Sequence, residues 1–254
     1  MMLPQQFDGW LWLLLSLGPL LLFQRKLHTL IQSVLLLLTR RIDLTTIIFS
    51  LLFFPGVLLH EMSHYVMARI LRVRTGKISL IPLVTSNGRL RLGYVETEAS
   101  DPIRETLIGA APLLTGGAFV AFAGIYQMGL GGVWSLFQTL GYRPALQALP
   151  GVWRQPDFWL WFYLLFTVSS TMLPSSSDRR SWSSILLWLG ILLGISLFAG
   201  AGPWLMVNAA PVIDYALTSA AVVFFISDLV HAILLIPFWL LYVLLSRVTG
   251  LEVK

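Results

Sequence analysis

The sequence predicts an all-α polytopic membrane protein of about six or seven transmembrane helices, with one small membrane-associated β-hairpin. Three observations carry that expectation. Apolar residues make up 57% of the 254 positions and charged residues only 11%, against roughly 25% charge in an ordinary soluble domain. Apolar runs near or above the ~20 residues needed to cross a bilayer recur along the whole chain. One stretch between two of those runs changes texture and reads as paired strands.

The same figures exclude several classes. A net charge of +5 sits mostly in short loops, where positive charge sets membrane topology. No aromatic-and-basic pattern of a nucleic-acid module accompanies it, so the expected partners are the lipid bilayer and membrane-protein substrates, with no nucleic acid. The chain has no cysteine, which removes disulfides from the argument. No Lys or Arg precedes Trp10, which points away from a cleaved leader. No long polar segment interrupts the apolar runs, so a single membrane domain is expected. It divides into N-terminal membrane segments (1–43), a core (44–180) and C-terminal helices (181–254).

Seven apolar segments follow in order. Trp10 to Phe23 and Leu27 to Leu38 are short and separated by Gln24-Arg25-Lys26; they read as two short spans, a bent pair or interfacial helices. The third runs from about Leu44 to Leu71, the fourth from about Ile103 to Ile125, and the fifth from Phe158 to about Leu173. Trp182 to Ala199 is the sixth. The last, Tyr215 to Leu245, exceeds one perpendicular crossing and is expected to tilt or break. Between the third and fourth, Lys77 to Val84 and Arg89 to Tyr94 flank Ser86-Asn87-Gly88. An Asn-Gly pair between two such stretches is a strong hairpin signal. Pro82 places the first strand at an edge. The hairpin is either a surface connection or an edge able to pair with an extended substrate.

Lys and Arg placement suggests an orientation. With all seven segments crossing and the N-terminus outside, only Arg40, Arg41, Arg143 and Arg154 face outward and thirteen basic residues face inward, as the positive-inside rule requires.

The third segment contains His60-Glu61-Met62-Ser63-His64. On a helix, residues four apart stand one turn above each other on one face. Two imidazoles so placed can bind one Zn²⁺, with the adjacent Glu61 positioned to act on water at the metal. Ionisable groups inside a membrane helix are expensive, so three in five residues need a reason. The bland alternative is a helix end whose polar groups meet water or head groups.

A catalytic zinc site wants a third protein ligand and an open position. His28, Asp43, Asp178, Asp214, Asp228 and His231 are the candidates near apolar segments. Depth favours Asp178. His60 lies about 25 Å along the third segment from Asp43, and Asp178 lies about 31 Å along the fifth from Asp157 if all of it is helical. One crossing intervenes, so both arrive near the same face. Pro174 and Ser175-Ser176-Ser177 are expected to end the helix and turn Asp178 inward. The alternative for Asp178 is a loop carboxylate paired with Arg179 or Arg180.

With these residues in view, the chain resembles the site-2 protease family of intramembrane zinc metalloproteases. His60-Glu61-Met62-Ser63-His64 matches the family's first motif. Thr171-Met172-Leu173-Pro174-Ser175-Ser176-Ser177-Asp178 is similar to its Asn-x-x-Pro…Asp-Gly motif, and Gly109-Ala110-Ala111-Pro112-Leu113-Leu114-Thr115 to its Gly-Pro-x-x-Asn pattern. Thr stands for Asn at 115 and 171, the aspartate follows Pro174 by four residues where five is usual, and Arg179 replaces the glycine. The resemblance covers about Leu44 to Arg180. It implies zinc held by His60, His64 and Asp178, and Glu61 as the catalytic base for peptide-bond hydrolysis in membrane-spanning substrates. With the orientation read from Lys and Arg, the expectation is a multi-pass protein of the cell membrane with its site near the cytoplasmic face.

Asp228 and His231 are three apart on the last segment, neighbours on one helix face. They read as a buried hydrogen-bonded pair, or as a second metal site or proton path. The latter supports a different function, a metal-ion transporter using His60, His64, Asp228 and His231. A catalytically inactive membrane scaffold is the remaining alternative.

Overall fold

The computed structural model describes residues 8–80, 82–84 and 90–251. Among these are nine α-helices and a small hairpin. They are α1 (Asp8–Thr39), α2 (Ile42–Ile70), α3 (Pro102–Ala121), α4 (Leu130–Leu140), α5 (Tyr142–Val152), α6 (Phe158–Ser169), α7 (Trp182–Phe198), α8 (Gly202–Asn208) and α9 (Ala210–Thr249). A π-helical segment, Phe122–Gln127, continues α3. Four helices, α1, α2, α3 with its π extension, and α9, are long and apolar enough to cross a membrane; a bent pair, α7 with α8, makes a fifth only if it counts as one span. The outer faces of α1, α7 and α9 are apolar, with Leu22 69%, Phe198 96% and Tyr215 77% exposed. Apolar surface of that extent is tolerated in lipid and not in water.

The first two expected segments are one helix. Gln24, Arg25 and Lys26 lie in the interior of α1. The charges interrupt hydropathy without interrupting the helix, because Gln, Arg and Lys are all good helix formers. The last segment likewise runs unbroken over 40 residues through Pro237, about 60 Å at 1.5 Å per residue. Asp101 opens α3 as sequence chemistry requires. Its carboxylate accepts from the Ile103 and Arg104 amides at 3.1 Å, with Pro102 at the first helical position.

Contacts between named residues fix the directions of the long helices. Thr39 meets Thr45 (2.8 Å) and His28 packs on Phe49 and Phe53, so α1 and α2 are antiparallel. Tyr163 donates to the Leu52 carbonyl (3.0 Å), and the Thr167 carbonyl and Thr171 hydroxyl lie against Gly56, so α6 runs with α2. Gly109 meets Asp178, Gly116 meets Met172 and Gly124 meets Leu165, so α3 opposes α6. At the start of α9, Asp214 accepts from the Gly9 amide (2.7 Å), and one helix-length on Ser170 links Gln24 to His231, so α1 and α9 are parallel. The two flanking regions outside the 44–180 core thus lie along each other, and α1 makes its most extensive contact with α9.

These directions correct the expected path. The α6–α7 loop reaches the end of the bundle where α1 begins, and α9 begins at that same end. The chain between, α7 and α8, therefore leaves and returns on one side, helped by a 118° bend between the two helices. The expected sixth segment does not traverse the bundle. A hydropathy run cannot distinguish a crossing from an excursion, because both present apolar side chains to lipid.

The hairpin forms from β1 (Thr75–Ser79), β2 (Leu83–Val84), β3 (Leu90–Arg91) and β4 (Tyr94–Thr97). β1 pairs antiparallel with β4 through Ile78↔Val95 and Ser79↔Tyr94, with an irregularity before Ile78. β2 pairs antiparallel with β3 through Leu83↔Arg91 and Val84↔Leu90. Pro82 falls between the two short ladders, where its missing amide breaks no pairing. The expected Asn87-Gly88 turn, with Arg89, lies outside the described residues.

The core lies between α1, α2, α3, α6 and α9. Leu20, Leu27 and Ile31 of α1, Phe53 of α2, Leu165 of α6, and Met172 just beyond α6 are sealed within it.

Candidate metal centre

The helical spacing of His60 and His64 brings their Nε2 atoms to 3.2 Å. Asp178 arrives from the α6–α7 loop, with its Oδ1 3.4 Å from His64 Nε2 and its Oδ2 3.8 Å from His60 Nε2. Ligands at 2.0–2.1 Å from a tetrahedral zinc are separated by about 3.3–3.4 Å. The two Nε2 atoms, and Oδ1 with His64, stand at about such separations, Oδ2 approaches His60 at 3.8 Å, and one ligand atom from each residue lies within 4.8 Å of the others, close enough to share one ion. A fourth corner remains free of these three residues. This group is the only His/Asp/Glu cluster of metal-binding geometry among the described residues.

The surrounding chain orients each ligand. His64 Nδ1 lies 2.9 Å from the Ile108 carbonyl of α3. A carbonyl only accepts, so Nδ1 carries the proton and Nε2 keeps its lone pair for a metal. Asp178 is held by its own loop. The Ser175 amide donates to Oδ2 (2.7 Å), and the Asp178 amide donates to Ser175 Oγ (3.3 Å). Burial works against ionisation of Asp178, but the two histidines beside it and the hydrogen bonds from Ser175 outweigh it. The carboxyl is held well below the usual carboxylate range and is the anion that metal ligation requires. His60 Nδ1 is buried and meets no hydrogen-bond partner among the described residues.

Glu61 is buried at 7% exposure, and the hairpin lies over it. A Cβ added to Gly93 would fall 3.0 Å from Glu61 Cγ and 3.1 Å from the Ser79 carbonyl. The glycine is what lets the strand entrance seat on the helix beside the histidines.

The other candidates separate cleanly. Arg180 pairs with Glu105 (3.7 Å) and Arg179 Nε donates to the Ser175 carbonyl (3.2 Å), so neither takes Asp178 as its ion partner. Asp43 is exposed and pairs with Arg41. Asp214 caps the start of α1 through Gly9. His28 sits against Phe49 and Phe53. His231 binds Ser170 and the Ser227 carbonyl, and Asp228 Oδ1 is buried without a hydrogen-bond partner among the described residues. The Asp228–His231 hydrogen bond expected of a buried pair is absent, and neither residue joins the His60–His64–Asp178 group.

Three glycines shape the site by close approach; Gly116 is a position where the sequence allows close helix contact, while Gly56 and Gly109 carry no such signal of their own. Gly56 receives the Thr167 carbonyl and the Thr171 hydroxyl, Gly116 receives Met172, and Gly109 receives the Asp178 carbonyl. Together they let the end of α6 and its loop press onto α2 and α3. A run of small residues in an apolar helix is the sequence signal for such close approach, although it does not name the partner.

No family model matches this chain, and neither a curated protein nor a solved structure matches it. The candidate site therefore stands on its geometry.

Proposed function

We propose that this chain is an intramembrane zinc metalloprotease that hydrolyses peptide bonds of membrane-spanning substrates. The observation that carries the reading is the convergence of His60, His64 and Asp178, one ligand atom from each within 4.8 Å of the others, with Glu61 next to His60 on the same helix. Two imidazoles and a carboxylate with an open fourth position are a catalytic zinc donor set, whereas structural zinc sites are closed. Zinc bound there supplies a Lewis acid that polarises the scissile carbonyl and makes water acidic enough to ionise near neutral pH.

The remaining chemistry belongs to the protein. Glu61 takes the proton of the attacking water and passes it to the leaving amine nitrogen. His64 keeps its ligating tautomer through the Ile108 carbonyl. A substrate helix satisfies its own backbone, so it must unwind before attack. The hairpin, whose Gly93 lies against Glu61, is the surface placed to pair with such an extended segment. Basic residues support a cytoplasmic-side site in the cell membrane. Among the described residues, eight Lys and Arg outside the mid-helix pair Arg25-Lys26 lie at the site end and five at the other, the bias the positive-inside rule expects.

The test is cleavage of a panel of single-span substrates by the purified protein beside Glu61→Gln, with zinc quantified in both. Zinc in both and cleavage only in the unmutated protein is the expected result. Absence of zinc from both after zinc-supplemented purification would sink the reading. Zinc flux into vesicles that survives Glu61→Gln would favour a transporter instead.

A further inference from the structure

Pro174 has no N–H, so the carbonyl four residues earlier, that of Ser170, loses its helical donor. The structure supplies another. Gln24 of α1 donates from Nε2 to the Ser170 carbonyl at 2.5 Å. From α9, His231 Nε2 lies 3.0 Å from Ser170 Oγ, while its Nδ1 lies 2.8 Å from the Ser227 carbonyl. Nδ1 must therefore donate, which leaves Nε2 to accept the Ser170 hydroxyl proton. Ser170 is 3% exposed and His231 0%, so no reacting group reaches this Ser–His pair and a nucleophilic role is excluded. What remains is a clamp: two helices from outside the 44–180 core grip one residue at the end of α6.

That residue has a particular place. Beyond it, residues 171–178 form neither helix nor strand, and they carry the chain from Ser170 to the Asp178 carboxylate. We propose that Gln24 and His231 are positioning residues that fix the end of α6 so that this segment delivers Asp178 to His60 and His64, an inference that rests on the metal-centre reading above. The flanking helices α1 and α9 then control the third ligand, although neither touches the site. Ordinary burial of polar groups would stabilise the bundle without governing ligand geometry, and the two cases give different measurements.

The experiment uses the full chain in detergent with Gln24→Met and His231→Leu, each beside Asp178→Ala. Co²⁺ serves as the metal probe because its visible absorption reports the ligand set. The expected result is a Co²⁺ affinity lowered about tenfold or more, as for loss of groups that orient metal ligands, with a spectrum moving towards that of Asp178→Ala. Amide hydrogen exchange over 171–178 should rise about tenfold while the 57–66 stretch of α2 stays protected. Unchanged affinity, spectrum and exchange over 171–178 would overturn the proposal. So would a uniform rise in exchange across α1, α6 and α9 with an unaltered spectrum in the fraction still binding Co²⁺. If Gln24→Met fails to fold, Gln24→Glu keeps the size and removes the donor. If the unmutated chain takes up no Co²⁺, the metal reading falls, and exchange over 171–178 alone decides whether the clamp orders that segment.

Discussion

The Asp178 carbonyl occupies the space in which a side chain on Gly109 would sit. The loop that brings the third ligand therefore lies directly on the backbone of α3, one residue from Ile108, whose carbonyl orients His64. One turn of α3 thus serves two ligands that come from different elements.

Gly109→Ala should displace that loop. We expect zinc affinity to fall about 10- to 100-fold, the usual cost of disturbing the groups that hold ligands, measured by competition with a chelating dye. Gly18→Ala is the matched control, because nothing lies within 4 Å of a Cβ at Gly18. Equal affinities for the two variants would remove Gly109 from the account of the site.

Asp178→Ala should lose most bound zinc, while Asp43→Ala should keep it. Asp43 faces outward and pairs with Arg41, whereas Asp178 faces both histidines. Zinc content by mass spectrometry after dialysis decides between them. Chelation should also lower the melting temperature of the unmutated chain, because a ligand bound only to the native state stabilises it; Asp178→Ala should show no such shift.

Gly93→Val should leave zinc in place and reduce cleavage. The added atoms would press on Glu61 Cγ and the Ser79 carbonyl, moving the hairpin from the base without touching a ligand. A drop in bound zinc equal to the drop in turnover would show that the hairpin supports the metal instead.

The helix directions make a prediction independent of chemistry. The chain has no cysteine, so single substitutions can be labelled without background. Asp8→Cys, Arg180→Cys and Asn208→Cys should react with an impermeant thiol reagent from one side of sealed vesicles, and Arg41→Cys and Arg154→Cys from the other. Labelling of Asn208→Cys from the Arg41 side would show that α7 and α8 cross after all.

Much of this was readable in the residues. Apolar runs and scarce charge determined a mainly helical chain whose long apolar helices suit lipid, since that property depends on composition alone. The His60–Glu61–His64 arrangement followed from the helical repeat, which is local and needs no tertiary information. The hairpin followed from turn chemistry and alternation, and Pro174 marked where α6 would stop. Tertiary structure decided the rest. Gln24-Arg25-Lys26 read as a break because hydropathy registers charge and not helix continuity. Trp182 to Ala199 read as a crossing because the direction of a segment is set by its neighbours. Depth singled out Asp178 but left the alternative of Arg179 or Arg180. Its arrival between His60 and His64 depended on the close packing that Gly56, Gly109 and Gly116 permit and on where Gln24 and His231 hold Ser170. Those contacts join residues up to 146 positions apart, and no local pattern encodes which distant surfaces will meet.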